Sequence, residues 1–285
     1  MALDADWFTE VYAPTGSAFS LKLKEKRLDQ QSPFQHIEVY ATEQFGNLMV
    51  IDGCVMLTER DNFLYHEMLA HPALYTHPRP ERVLIIGGGD CGTLREGLKH
   101  PEIREVTQVD IDEAVTRAAE RFFSTLCESN GDPRARLEFA DGIAWVKKSL
   151  PARYDVIIVD STDPVGPAEG LFTEPFFRDC YRALTAEGVL VQQSESPLFH
   201  LETIIKPLHQ ALRRAGFADT HSLPFPQCVY PSGWWSMTLA VKAGRATQFR
   251  QQDAAAKPFP TEYYNVDIHQ ATLAMPEFMR RVLNG

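Results

Sequence analysis

The sequence predicts an α/β protein in which a small antiparallel β domain precedes a doubly wound parallel sheet. Three observations predict it. Aliphatic runs at 83–86, 156–159 and 189–191 alternate with helical patterns at 92–99, 112–126, 174–184 and 201–214, the texture of strand–helix–strand units. The first run leads into a glycine-rich turn, "VLIIGGGDCG" (83–92), as a ligand-cradling strand-to-helix turn does. Residues 19–58 instead read as antiparallel strands, with "DG" (52–53) between apolar runs as a hairpin signal. We divide the chain into an N-terminal β domain, 1–77, and a nucleoside-binding α/β domain, 78–285.

Taken in order, Ile37 and Val39 alternate with His36 and Glu38, and "FGN" (45–47) and "DG" punctuate "LMVI" and "CVML". "DNFLYHEMLAHPALY" then spaces Phe63, Leu64, Met68 and Leu69 as one helix face. "THPRPE" (76–81) reads as a linker. Shorter strands fit at 106–109 and 137–139, and Gly142 begins a further helix. "WWSMTLAV" (234–241) is a strand with no crossover helix after it. The chain contains no internal repeat and no low-complexity tract.

Composition narrows the function. With 44% apolar and 23% charged residues the chain is globular. A formal net charge of −10 argues against nucleic-acid binding. The five cysteines form no C-x-x-C pair, so reduced thiols in a cytosolic protein are expected. Asp4, Asp6 and Glu10 stand where a signal peptide would carry positive charge. No stretch approaches the ~20 apolar residues of a membrane span. The expectation is a cytoplasmic protein without membrane contact.

The chemistry-bearing residues gather at strand ends. Gly87, Gly89 and Gly92 form G-x-G-x-x-G after a strand, and Asp110 ends the next strand, where an acid can hold ribose hydroxyls. Asp90 inside the turn would repel a pyrophosphate and suits a ligand with a cationic group. The Tyr-x-x-x-Lys pair of short-chain dehydrogenases is absent. Asp141 at a third strand end, in "FADGIAW" (139–145), serves as helix N-cap, adenine contact or both. These three acids resemble the S-adenosylmethionine-binding layout.

In "YDVIIVDSTDPVGP" (154–167), Asp160 ends a strand buried on both faces, with Asp163 three residues on. A carboxylate there is costly unless something positive or hydrogen-bonding meets it. The next arginine is Arg178, so the partner is either a distant base or a cationic ligand. The ligand crevice lies at strand ends, which favours an amine substrate. Asp163 alone also fits a turn before Pro164.

"GGGDCGTLRE", "DSTDPVGP", "TERDNFLYHEM", "YPSGWWS" and "YYNVDIH" together resemble the polyamine aminopropyltransferases, the spermidine synthase family, from about Phe34 through Phe278. The resemblance implies a Rossmann-like, methyltransferase-type domain behind the β domain and assembly as a homodimer or homotetramer. It implies aminopropyl transfer from decarboxylated S-adenosylmethionine, a cosubstrate, to putrescine or a related polyamine, with no cofactor and no metal. It makes Asp160 the catalytic acid/base. Gln35, Gly87, Gly89, Asp90, Asp110, Asp141, Gly142 and Pro167 fall on the cosubstrate side. Tyr65, His66, Asp90, Asp160, Asp163 and Tyr230 fall on the polyamine side.

Two residues depart from the family pattern: Asp110 stands for a longer Glu, and Cys91 for Gly. If position 91 needs positive φ, Cys costs on the order of 1 kcal/mol. The donor's sulfonium supplies the electrophile, and Asp160, helped by Tyr65, takes the proton from the attacking amine. No His/Cys/carboxylate cluster has metal-ligand spacing. With Asp90, Asp160 and Asp163 together and no base in the adjoining motifs, the carboxylate of ordinary S-adenosylmethionine would be repelled. Two rivals stand beside this reading: a diamine N-methyltransferase and a non-catalytic polyamine-binding protein.

Overall fold

The computed structural model describes residues 3–164 and 166–283. Strands β1 (Trp7–Tyr12), β2 (Ser17–Gln31), β3 (His36–Thr42), β4 (Asn47–Ile51) and β5 (Cys54–Thr58) form one antiparallel sheet in that order. Asp52 and Gly53 both take positive φ, 50° and 83°, the twist a two-residue hairpin turn demands.

Helix α1 (Asn62–Thr76) departs from the one-faced helix expected there. It is buried nearly all round, including Asn62, Tyr65, His66, Glu67 and His71. Its surroundings explain this: α1 packs on the second sheet and on the helix after the glycine turn, while the chain's last third covers it. Glu67 collects the backbone N–H groups of Glu262, Tyr263 and Tyr264 at 2.7–2.8 Å. A buried carboxylate so satisfied pins that late segment onto α1.

The second sheet is built from β6 (Arg82–Gly87), β7 (Glu105–Asp110), β8 (Ala135–Phe139), β9 (Tyr154–Asp160), β10 (Leu184–Gln193), β11 (Asp219–Pro226) and β12 (Trp234–Val241), in the order β11-β12-β10-β9-β6-β7-β8. The five strands from β10 to β8 are parallel, whereas β12 runs antiparallel to both its neighbours, β10 and β11. The sheet is therefore mixed at one edge, because no helix follows β11 to return the chain. Strand β11, "DTHSLPFP", is poorly signalled by its two prolines; it is tolerated as the edge strand.

Helices α2 (Gly92–Leu98), α3 (Glu113–Phe122), α4 (Gly142–Lys148), α5 (Glu174–Ala183), α6 (Pro197–His200) and α7 (Lys206–Ala215) cover the sheet, and α8 (Gln251–Ala255), α9 (Val266–Thr272) and α10 (Glu277–Leu283) close the chain. The helix expected over 201–214 is interrupted: Leu201–Ile205 is a π-turn, next to Pro207, which has no N–H to bond backwards. Among the described residues no helix is long and apolar enough to cross a membrane.

Val156, Ile157, Ile158 and Val159 of β9 are fully buried, as their uninterrupted aliphatic run dictates. Strand order reverses at β6, which has β7 on one side and β9 on the other. A crevice opens at the carboxyl ends there. The register sets Gly87 opposite Asp160.

Candidate active site

The glycine turn is shaped by the acids beside it. Gly87 and Gly88 take positive φ, and a Cβ on Gly87 would lie 2.1 Å from the Asp160 carbonyl oxygen. A Cβ on Gly89 would lie 2.9 Å from an Asp110 carboxylate oxygen. The Gly88 N–H donates to the Asp160 carbonyl at 2.8 Å. Three strand-end features are thus drawn into one crevice: the Asp90 turn, Asp110 and Asp160.

Asp160 is 8% exposed, and the question its sequence raised has a definite answer. Among the described residues no Lys or Arg pairs with it. Tyr65 donates its hydroxyl to Oδ1 at 2.8 Å and Thr93 donates to Oδ2 at 2.5 Å. Burial and the nearby Asp90 charge push the Asp160 carboxyl up to about 6, against the opposing pull of His66 and the two hydroxyls. Each carboxylate oxygen keeps lone-pair capacity beyond its one hydroxyl donor, so a cation has somewhere to bind. Burial raises Tyr65 well above the ordinary phenol value. The Tyr65 hydroxyl therefore stands as a hydrogen-bond donor to Asp160.

Asp90 lies across from Asp160. Its Oδ1 accepts the Gly92 N–H at 2.6 Å, and the His66 Nε2 sits 3.2 and 3.3 Å from its two oxygens. Burial opposes its charge, but His66 and the Gly92 N–H prevail and hold Asp90 below the usual carboxylate range. Burial likewise opposes charge on His66, and Asp90 overcomes it and raises the imidazole. His66 is 1% exposed and its ring backs Asp90. A Cβ on Gly92 would meet its ring at 2.3 Å; that glycine makes room for the imidazole. The expectation that no base adjoins Asp90 also needs correcting. Arg95 reaches it electrostatically, although the guanidinium itself is engaged by Glu96 and the Thr125 carbonyl.

Asp110 accepts only the Asp112 N–H on Oδ1, at 2.8 Å. Burial, then Asp112, Asp160 and Asp90, push it up to about 6. The Ser32 hydroxyl receives the Gln35 N–H and donates to Asp112, which ties the Gln35 segment to the loop after Asp110. Asp141 is the exposed N-cap of α4, accepting from Ile143 at 2.8 Å and Ala144 at 3.3 Å. Gly142 is required by Ile86, whose Cγ2 would lie 2.5 Å from a Cβ. Pro167 falls in the 3-10 turn Gly166–Phe172, and its side chain lies outside the described part of the structure.

On the other side of Asp160 a cavity is lined by Tyr65, Asp163, Tyr230, Trp235, Gln193 and Glu10. Tyr230 donates to the Met56 carbonyl at 2.5 Å and meets Tyr65 edge-on at 5.9 Å between ring centres. Sequence reasoning missed three residues here. Glu195, 1% exposed, accepts from Gln193 Nε2–H at 3.3 Å, and burial followed by Asp163 raises it well above the usual carboxylate range. Glu10 is raised by burial and Asp163, against the Val55 N–H that it accepts. Thr93 is the third. Glu195 lies four residues past the aliphatic run at 189–191, without the strand-end position that marks Asp160. Glu10 carried no signal because β1 itself was not evident.

Asp29, His36 and Glu38 come within 4.8 Å of one another on the exposed sheet, a grouping with metal-ligand chemistry that spacing did not reveal. The Lys26 ammonium already sits 2.6 Å from both carboxylates.

A largely parallel sheet with a glycine turn and acids gathered at its strand ends defines an α/β protein of the Rossmann-like class. Comparison makes the class specific. Residues 62–251 match the spermine/spermidine synthase domain and residues 6–59 the spermidine synthase tetramerisation domain. The chain is 62% identical to a polyamine aminopropyltransferase of Thioalkalivibrio sulfidiphilus over 100% of both chains. It is 64% identical to that of Methylococcus capsulatus, covering 96% of this chain and 95% of that one. A spermidine synthase solved with the transition-state analogue AdoDATO superposes with a TM-score of 0.94 at 35% identity, over 100% of this chain and 97% of that one. The Thermotoga maritima spermidine synthase gives 0.92 at 34%, over 100% and 96%. This chain belongs to the spermine/spermidine synthase family and is an aminopropyltransferase.

Proposed function

We propose that the protein transfers the aminopropyl group of decarboxylated S-adenosylmethionine to putrescine, releasing spermidine and methylthioadenosine. The observation that carries this reading is Asp160: buried, paired with no Lys or Arg among the described residues, and placed between the Asp90 turn and an acid-lined cavity. The nucleoside rests on the glycine turn, with Asp110 and Gln35 at the ribose and Asp141 and Gly142 toward the adenine. Asp90 receives the donor's ammonium. The acceptor lies along Tyr65 and Tyr230, its reacting nitrogen at Asp160 and its far ammonium at Asp163, Glu195 and Glu10.

Asp160 accepts a proton from the reacting ammonium as the freed lone pair attacks the CH₂ beside sulfur. The C–N bond forms, the C–S bond breaks, and sulfur leaves as a neutral thioether. A base poised near 6 suits this work at neutral pH. Alignment of the two reactants supplies much of the remaining acceleration. The reaction uses no cofactor, the donor being a cosubstrate, and takes place in the cytoplasm. The match of residues 6–59 to a tetramerisation domain supports a homodimer or homotetramer.

The test supplies the decarboxylated donor with putrescine, cadaverine, agmatine and spermidine and identifies products by mass. Spermidine as the main product supports the assignment. Preference for another amine replaces putrescine, and a methylated diamine made from ordinary S-adenosylmethionine replaces the whole reading.

A further inference from the structure

Cys91, the residue that departs from the family's glycine, has a partner. It is fully buried, holds φ +69°, and heads α2 directly after Asp90. Its Sγ lies 3.6 Å from the Gly89 carbonyl oxygen and receives the Gln108 Nε2–H at 3.6 Å. Cys127, half-buried in the segment after α3, donates its thiol to the next carbonyl of the same turn, Asp90, at 3.6 Å. The two sulfurs therefore face consecutive carbonyls of one turn, which makes the two cysteines neighbours in space. The catalytic account uses neither.

We propose that Cys91 and Cys127 are a reversible disulfide site that reads low-molecular-weight disulfides and detunes the Asp90 turn. The half-exposed Cys127, as thiolate, attacks one sulfur of a small disulfide, forms a mixed disulfide and expels one small thiolate. Cys91, deprotonated in turn, attacks the Cys127 sulfur, closes the Cys91–Cys127 bond and expels the second. Two electrons pass to the small disulfide, and the two protons go to the thiolates released. The facing Cys91 and then burial raise the Cys127 thiol, so the response is slow, suited to sustained oxidation and not to a fast burst. Closure removes both S–H donors. The Gly89 carbonyl keeps the Thr116 hydroxyl at 2.8 Å, whereas the Asp90 carbonyl loses the Cys127 thiol. The turn that presents the Asp90 carboxylate is then pulled toward the segment after α3, and cosubstrate affinity falls with it.

The full-length protein is incubated with glutathione disulfide, and its peptides are mapped by mass without reduction. Methylthioadenosine affinity is measured before and after dithiothreitol. A 91–127 cross-link should appear with an affinity loss of ~10-fold, within the range of ordinary site-to-site coupling, and dithiothreitol should restore it. Cys127→Ser should keep affinity and lose the response; Cys91→Gly, which also relieves the positive φ, serves as a second variant. No cross-link, a cross-link with unchanged affinity, or an equal loss in Cys127→Ser would overturn the proposal. The cross-link is read by mass, so its failure is separable from an error about the amine substrate.

Discussion

Asp160 and Asp110 are both held up to about 6 by burial among like charges, and two predictions follow from that. As base, Asp160 works only when deprotonated, so kcat/KM should rise with pH through a midpoint near 6. Asp160→Asn should lose ~10²-fold or more in kcat while still binding methylthioadenosine; a variant with near-wild-type turnover would remove Asp160 from the mechanism. Asp110 binds its proton more tightly folded than unfolded. Its contribution to stability is therefore fully present below the ordinary carboxylate value of 3.8 and is lost as pH rises through about 6. At neutral pH Asp110→Asn should raise Tm, and Asp110→Ala should weaken methylthioadenosine binding by roughly 1.5–3 kcal/mol. Thermal melts and calorimetry check the pair, and a lower Tm with unchanged affinity would contradict both halves. Asp110 and Asp160 were legible in the sequence because each ends a strand run, and Asp90 because it sits in the glycine turn. What was not legible was their company: Thr93 and Tyr65 meet Asp160, and His66 meets Asp90, through contacts spanning 67, 95 and 24 positions.

Helix α1 carries two of those contacts, and its seating is what the site depends on. Glu67 fixes it by three backbone N–H groups from residues 262–264, so Glu67→Gln should cost about 1–3 kcal/mol in urea unfolding. The glycines give a sharper contrast. A Cβ at Gly92 would lie 2.3 Å from the His66 ring, whereas at Gly97 the nearest atom is 3.9 Å away. Gly92→Ala should displace His66 and impair turnover, while Gly97→Ala should be neutral or stabilise by up to ~1 kcal/mol through helix propensity. Equal effects at the two positions would mean that His66 is not seated as described. Elements with strong local signals matched their expected spans: the strand at 83–86, the "DG" hairpin and the helix at 174–184. Those that tertiary context decides did not. Strand β11 hides behind two prolines, α1 is buried where one face was expected, and the π-turn before α7 answers to a single proline.

Across the whole molecule the charge is −10, and the crevice concentrates it: Asp90, Asp110, Asp160, Asp163, Glu195 and Glu10 stand along one path. The parallel sheet and the β domain were readable from texture alone. The mixed edge was not, because a strand's direction depends on connections that local sequence does not encode. Such a path attracts cations, so the KM for the diamine should rise with ionic strength as screening grows. It also discriminates between donors, since ordinary S-adenosylmethionine would bring a carboxylate against Asp90 and Asp160. His66 offsets part of the Asp90 charge without removing it. The most direct test titrates both donors into the wild-type protein and Asp90→Asn by calorimetry, with putrescine added afterwards and products weighed. The decarboxylated donor should bind at least ~100-fold more tightly, about 2.7 kcal/mol, with the gap narrowed in Asp90→Asn and spermidine as product. Equal affinities in the wild type, or methyl transfer to putrescine, would contradict an acid-lined crevice built for aminopropyl transfer.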